Sequence, residues 1–329
     1  MMLNIGFIGV GGIAEVHLRH ISGMEGTRVA GIYDVNTDRA EEIARKYEGK
    51  VYPSLEALLD GEKLDAVYIC VPPFAHGDIE AAVVERELPM FVEKPISIFR
   101  DPAERILKMV QEKDLLTSVG YHWRYSEAAN KARVALQSQK PGMVLGYWLG
   151  DMPMVGWWRK RNRSGGQMVE QTTHIVDLAR YLVGEVTEVY AVYGYGELKD
   201  SVEGVTIPDV GSITLKFDNG AVGTISNTCV FDQFYHTVGL DIITRDLVLE
   251  VRGDSVTERK KGETYQRRNG SDPYYEEDIA FIEAVKTGDR SRIRSSYADG
   301  YRTHQITVAA NESAEKGQPI QLQIEVPHR

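Results

Sequence analysis

The sequence predicts an α/β protein in two parts. An N-terminal doubly wound parallel sheet is followed by an α+β part built on a large, mostly antiparallel sheet. Three observations carry this expectation. Short apolar runs alternate with helical patterns through the first third of the chain. The first of these runs, Ile5 to Ile8, stops at Gly9-Val10-Gly11-Gly12, and a helical pattern begins at Ile13. From Val186 onward apolar and polar residues alternate, and Asp218-Asn219-Gly220 reads as a hairpin turn.

In order, the helix through Glu15 to Ile21 leads to a strand at 27–33 and a helix at 37–47. Lys50-Val-Tyr52 is a short strand, and Ser54 is placed to cap the next helix. The run 65–71 is nearly all apolar, the mark of a strand covered on both faces. Pro72-Pro73 ends it. Helices at 75–86 and 102–113 then alternate with strands at 89–92 and 116–120. This order implies right-handed crossovers. It places Gly9, Asp34, Pro72, Glu93 and Gly120 at strand carboxyl ends, the edge where such sheets bind ligands. The first domain is expected at 1–121 and the second at 122–329, with late helices free to pack back on the first.

Gly9, Gly11 and Ala14 fit G-x-G-x-x-A, the turn that admits a dinucleotide pyrophosphate. The first glycine permits the tight turn, the second clears room for phosphate, and the small third residue lets helix pack on strand. The N–H groups from Gly12 and Ile13 onward open the helix and face the anion. Asp34 lies twenty positions past Ala14, where an acid binds the adenosine ribose and repels a 2′-phosphate. It favours NAD over NADP. Arg39 stands nearby as a residue able to accommodate a phosphate. Glu93-Lys94-Pro95 places a lysine just beyond a strand, where it can hydrogen-bond or protonate a substrate oxygen.

The net charge of −10 argues against a dedicated nucleic-acid binder, even with Trp157-Trp158 beside four basic residues up to Arg163. No apolar run reaches the roughly 20 residues of a membrane helix, so neither a membrane nor a nucleic acid is expected as a partner. Met1-Met2-Leu3 leads into a strand without a signal-peptide pattern, and the expected compartment is the cytoplasm. Two cysteines, Cys70 and Cys229, make no disulfide framework, and no metal is expected.

In the second part, a helix at 127–137 and a strand at 144–150 precede Gly165-Gly166. The segment from Gln167 to Val183 reads as one amphipathic helix. At about 100° per residue, Glu170, His174, Asp177 and Tyr181 form a single polar stripe. A carboxylate four residues before a histidine can fix its tautomer. Strands follow at 188–195, 210–217, 221–230, 236–244 and 246–251. An acidic loop spans 196–208 and an irregular charged stretch 252–275, before helices at 278–287 and 297–316. The second sheet is expected to offer a face for a homodimer or homotetramer.

The glycine turn, the acid after strand two, Val71-Pro72-Pro73 with His76, and Glu93-Lys94-Pro95 together resemble the glucose–fructose oxidoreductase/inositol dehydrogenase (Gfo/Idh/MocA) family. Helices ending in Gly288 and Gly317 extend the resemblance along the whole chain. It implies an NAD-dependent enzyme that moves a hydride between the nicotinamide and a secondary alcohol or ketone of a sugar, polyol or cyclitol. It implies that Lys94 is catalytic and that Val71, Pro72, His76 and Glu93 flank the cofactor. The segment from Gly120 through Tyr121 and His122 to Tyr125 resembles the family's passage beside the nicotinamide, although the family often carries Gln, Met or Asn where His122 stands. Trp158-Arg159 resembles a pair near the substrate cleft. The family's acid before His174 is usually Asp; here it is Glu170. In this reading His174 is the general base, Glu170 orients it, and Asp177 and Arg159 hold other substrate groups. A transient-redox glycoside hydrolase and a non-catalytic NAD or sugar sensor are the alternatives.

Overall fold

The computed structural model describes residues 2–323. It divides the chain into two compact units. The first comprises residues up to His122 together with Asp272–Tyr301, and the second holds Trp123–Ser271 and the chain from Arg302 onward.

The first unit is built on six strands: β1 (Leu3–Ile8), β2 (Thr27–Tyr33), β3 (Lys50–Val51), β4 (Ala66–Ile69), β5 (Met90–Val92) and β6 (Thr117–Val119). They pair in the order β3-β2-β1-β4-β5-β6, all parallel. The chain winds one way from β1 to β3 and the other way from β4 to β6, so the switch point lies between β1 and β4. Burial follows: β4 and β5 are buried throughout, and Ile5, Phe7, Val67 and Phe91 are fully enclosed. Ser54 caps the third helix by accepting from the Ala57 N–H at 3.1 Å. The expected helix at 75–86 begins later, at Asp78, because Gly77 adopts a φ of +120° and separates it from a short 3₁₀ turn at Pro73–Ala75. The expected helix at 278–287 begins earlier, at Pro273, with the Asp272 side chain accepting from Tyr274 N–H at 3.0 Å. Its first turns hid in the sequence because Glu277 and Asp278 face inward and break the apolar pattern.

The second unit holds a nine-stranded sheet. Its strands are β7 (Met143–Asp151), β8 (Val186–Gly194), β9 (Val210–Phe217), β10 (Val222–Phe231), β11 (Thr237–Ile243), β12 (Val248–Arg252), β13 (Ser255–Lys260), β14 (Glu263–Arg268) and β15 (Ile320–Gln321). They are ordered β14-β13-β12-β11-β7-β10-β9-β8-β15, and only the β7–β10 pair is parallel. The helix Thr173–Val183 lies against this sheet, with Ile175, Val176 and Ala179 in the same core as Val144, Ile225 and Leu240. Gly146 permits the approach: a Cβ there would stand 2.7 Å from the Ile175 Cγ2.

Three expectations are corrected here. The stretch 252–275 is not irregular; it contains the β13–β14 hairpin. Every residue of β14 is exposed, so this edge strand carries charge on both faces and shows no apolar alternation. The loop at 196–208 contains a short helix, Glu197–Ser201. The single helix expected from Gln167 to Val183 is two, Gln167–Glu170 and Thr173–Val183. The Thr172 N–H donates to the Gln167 carbonyl five residues back, at 2.9 Å. This wide turn interrupts the ladder, so the polar stripe does not run along one continuous helix.

The middle of the stripe, His174 and Asp177, is also buried, while Glu170 and Tyr181 are half-buried. Asp177 is 1% exposed and takes a two-pronged ion pair from Arg124, with Nε and Nη2 each 2.7 Å from a carboxylate oxygen. The Thr303 hydroxyl donates to Asp177 Oδ1 at 2.7 Å. Removing one member of a buried pair strands the other charge. Asp177→Ala is therefore expected to lower stability by about 3–5 kcal/mol in denaturant unfolding. A loss below about 1 kcal/mol would remove this pair from the interactions that hold the unit.

Candidate active site

The glycine turn after β1 is shaped as the motif requires. Gly9 has a φ of +81°, and a Cβ on it would lie 2.7 Å from the Cys70 carbonyl oxygen. No other residue adopts that conformation in that space without strain. Gly11 precedes the helix Gly12–Gly23 as its N-cap, and a Cβ on Gly11 or Gly12 would meet nothing within 4 Å. That open cradle before a helix N-terminus suits a pyrophosphate. Ala14 is fully buried, where the close helix–strand contact needs a small residue, and Ile13 packs beside the same core.

Asp34 follows β2. Its Oδ2 accepts from Val10 N–H and its Oδ1 from Asn36 N–H, both at 2.8 Å. These bonds fix the carboxylate beside the glycine turn while leaving each oxygen further acceptor capacity. Arg39 is engaged locally. Its Nε donates to the Val10 carbonyl at 3.0 Å, and its terminal nitrogens reach Glu42 and Glu15 at 2.8 Å each. Beyond β4, Val71 and Pro72 are half-buried. His76 bonds Glu80 through Nδ1, while its buried Nε2 has no partner among the described residues. An orphaned ring nitrogen beside the Pro72-Pro73 turn fits a polar ligand at this edge. Tyr121 is buried just past β6. His122 stacks on Tyr274 with ring centroids 3.8 Å apart. Burial, then the charges of Lys94 and His17, push the His122 imidazole well below its ordinary value, so it is neutral.

The strand-end tripeptide rests on a buried cluster that the sequence reading missed. Glu93 Oε2 accepts from the Lys94 backbone N–H, and Glu93 Oε1 meets His17 Nε2, both at 3.0 Å. His17 Nδ1 meets Asp278 Oδ1 at 2.8 Å. Asp278 also takes the Tyr68 hydroxyl at 3.1 Å and His20 Nδ1 at 2.8 Å. Burial opposes a charge on His17, but Asp278 and Glu93 outweigh it and hold its pKa well above the ordinary range. Burial likewise works against the Asp278 charge, and His17 with His20 overcomes it, so this carboxyl is lowered. Beside them Glu277 is fully enclosed, and both its oxygens lack a hydrogen-bond partner among the described residues. Burial, reinforced by the Glu93 and Asp278 charges, pushes its pKa well up.

His17, Glu93 and Glu277 bring three potential ligand atoms within 4.8 Å of one another. Both His17 nitrogens already face carboxylates, an arrangement that satisfies an imidazolium donating twice. A proton, rather than an ion, fits this set. The signal was present in the sequence as a histidine one turn past Ala14 and an acid pair inside an apolar helix pattern.

In the second unit, Trp158 is buried and its indole N–H donates to Glu170 Oε2 at 2.6 Å. His174 is buried, stacked near Trp148 with centroids 5.9 Å apart. Arg159 donates from Nη1 to the Glu203 carbonyl at 3.2 Å. Asp177, expected among substrate contacts, is placed in the ion pair with Arg124.

Residues 3–121 match the model of an oxidoreductase family with an NAD-binding Rossmann fold, and residues 140–257 match the GFO/IDH/MocA C-terminal domain. The chain belongs to the Gfo/Idh/MocA oxidoreductase family. Family members similar to it along nearly the whole length include a myo-inositol 2-dehydrogenase of Thermotoga maritima. That relative is 26% identical, with 98% of this chain and 99% of the relative covered. An inositol 2-dehydrogenase of Rhizobium meliloti is 28% identical over 97% of this chain and 99% of its own. A levoglucosan dehydrogenase solved with NADH and levoglucosan shares the fold, with a TM-score of 0.89 at 21% identity, covering 98% and 100% of the two chains. This member of the family is thus an NAD-dependent oxidoreductase.

The buried cluster makes stability depend on pH with a definite sign. Glu277 and His17 both have folded pKa values raised above their ordinary 4.5 and 6.5. The stability each contributes is fully present below those values and is lost as pH rises through the folded ones. The melting temperature is expected to fall as pH is raised, from about 4.5 through Glu277 and further from about 6.5 through His17. Glu277→Gln, which keeps the shape and removes the acid, should fall less. Parallel curves for the two proteins would exclude Glu277 as a titrating group in this range.

Proposed function

We propose that this enzyme transfers a hydride between NAD and a secondary alcohol or ketone of a sugar, polyol or cyclitol. The observation that carries the reading is the anchored Lys94 turn. Its backbone is fixed through Glu93 at the carboxyl end of β5, on the same sheet edge as the glycine turn and Asp34. When bound, NAD takes or returns the hydride at the reacting carbon.

The chain's own groups do the rest. Gly11, Gly12 and the helix behind them hold the pyrophosphate, and Asp34 takes the adenosine ribose. Val71, Pro72, His76 and His122 line the cofactor, with His122 neutral so that its ring adds no positive charge. Lys94 donates to the reacting oxygen and stabilises charge on it. His174 takes the hydroxyl proton on oxidation and returns it on reduction. Glu170, gripped by the Trp158 indole, positions His174. Arg159 and Tyr121 contact other parts of the substrate. Asp177 holds Arg124 in a buried ion pair.

Arg39 supports NAD over NADP, since its guanidinium is already committed to Glu15 and Glu42. The sheet of the second unit supports a homodimer or homotetramer: Leu145, Tyr190, Val192 and Val222 leave apolar side chains exposed on it. Two buried, unpaired cysteines suit the reducing cytoplasm. No helix among the described residues is long and apolar enough to cross a membrane.

Lys94→Ala is expected to lower kcat by a factor of about 10²–10⁴, the usual loss for a proton-transfer or electrophilic group. NADH binding, followed by fluorescence, should persist. Full turnover on the substrate that the wild type uses would rule out this role for Lys94. Asp34→Ser should shift the kcat/KM ratio toward NADP; an unchanged ratio would remove Asp34 from cofactor selection.

A further inference from the structure

The second unit carries a cavity of about 480 Å³ whose lining is out of keeping with the chain's charge. It is bounded by Trp157, Arg159, Lys160, Arg163 and Glu203. Three cations and one carboxylate thus meet in a protein of net charge −10. The fourth base of the run, Arg161, is directed elsewhere and binds Glu315. The selection of three bases out of four is made by a loop held in place. Trp158 is buried and tied to Glu170. Arg161 N–H donates to Thr206 Oγ1 at 2.8 Å, and Thr206 N–H donates to the Arg159 carbonyl at 2.9 Å. Gly156 and Gly204 line the cavity too, and a Cβ on either would meet nothing within 4 Å.

Arg159 is the fixed element. Its Nη1 is anchored on the Glu203 carbonyl, and its buried Nε has no hydrogen-bond partner among the described residues. Lys160 and Arg163 are exposed, so their charges reach the cavity from solvent. Trp157 is half-buried, packs against the apolar cluster of Trp158, Leu198 and Val205, and lines the same space. A planar guanidinium pairs with a phosphate or carboxylate through parallel N–H bonds, and an ammonium adds a point charge. An indole covers the apolar face of a ring. The volume falls within the roughly 300–1,000 Å³ of small-molecule sites.

We propose that this cavity takes the anionic group of a ring-shaped substrate, a sugar bearing a phosphate ester or a carboxylate. Arg159, Lys160 and Arg163 hold the charge, and Trp157 covers the ring. The inference rests on the sugar or polyol oxidoreductase reading and narrows its substrate class to anionic sugars.

The test is calorimetric titration at low salt, without NAD, so that its outcome is independent of hydride transfer. Glucose 6-phosphate, glucuronate, glucose and inorganic phosphate are titrated into the wild type and into the Lys160→Gln/Arg163→Gln double variant. Both positions are exposed, and an unchanged melting temperature confirms that the variant folds. At least one charged sugar should bind the wild type tenfold or more tightly than glucose, and the double variant should lose at least tenfold of that affinity. Arg163→Lys should retain most of it. Comparing glucose 6-phosphate with glucuronate separates phosphate from carboxylate. Charged sugars that bind no better than glucose, or that bind the double variant as well as the wild type, overturn the proposal. Inorganic phosphate binding as tightly as the charged sugar overturns the role of Trp157.

Discussion

A proton on His17 holds together three stretches of chain that lie far apart in sequence. The ring sits in the first helix, Glu93 directly follows β5, and Asp278 comes from the helix Pro273–Thr287. Burying an imidazolium is costly, and here two carboxylates offset the cost because they are close and directly opposed across the ring. The Lys94 turn inherits its rigidity from this arrangement, since Glu93 uses one oxygen on His17 and the other on the Lys94 backbone. The neighbouring acid Glu277 then has little choice but to stay protonated, because a third negative charge would enter a volume already balanced.

Much of the first unit was legible in the sequence because its signals are local. A glycine turn, an acid after strand two and a proline-fixed strand end each act over a few residues, and parallel strands buried on both faces read as apolar runs. The site's support was not legible, because His17, Asp278 and Glu277 owe their meaning to contacts across more than 250 positions. The second unit shows the same division. The alternation of β9 and β10 was plain, while β14 was hidden by charge on both faces of an edge strand. The polar residues from Glu170 to Tyr181 were read as one stripe on one helix, and the structure divides them between two. Their geometry was misread, because nothing local in the sequence announces the wide turn at Thr172.

The glycine turn and the Lys94 turn solve different physical problems. The first is an absence of side chains, so that backbone N–H groups can meet an anion. The second is a side chain on a backbone that cannot shift, because a buried charge network fixes it. Neither tolerates the other's solution. In the second unit the Trp158 indole is bonded to Glu170, and the cationic side chains Arg159, Lys160 and Arg163 line a cavity beside that pair. Arg159 is anchored in advance, so for a charged ligand the ordering cost falls more on the exposed Lys160 and Arg163.

The return of residues 272–301 to the first unit has a consequence for how the molecule is made. All six strands of the parallel sheet leave the ribosome with the first 122 residues, yet the counter-ion of His17 lies at position 278, and Phe281 closes over Tyr68 and Phe91 from the same late helix. During synthesis of the intervening chain, the nascent sheet has an uncovered aromatic face and a histidine without its second carboxylate. It must wait in that state for about ten to thirty seconds at ordinary translation rates. The support behind the Lys94 turn is thus completed late, only once the helix Pro273–Thr287 has been made and Asp278 meets His17.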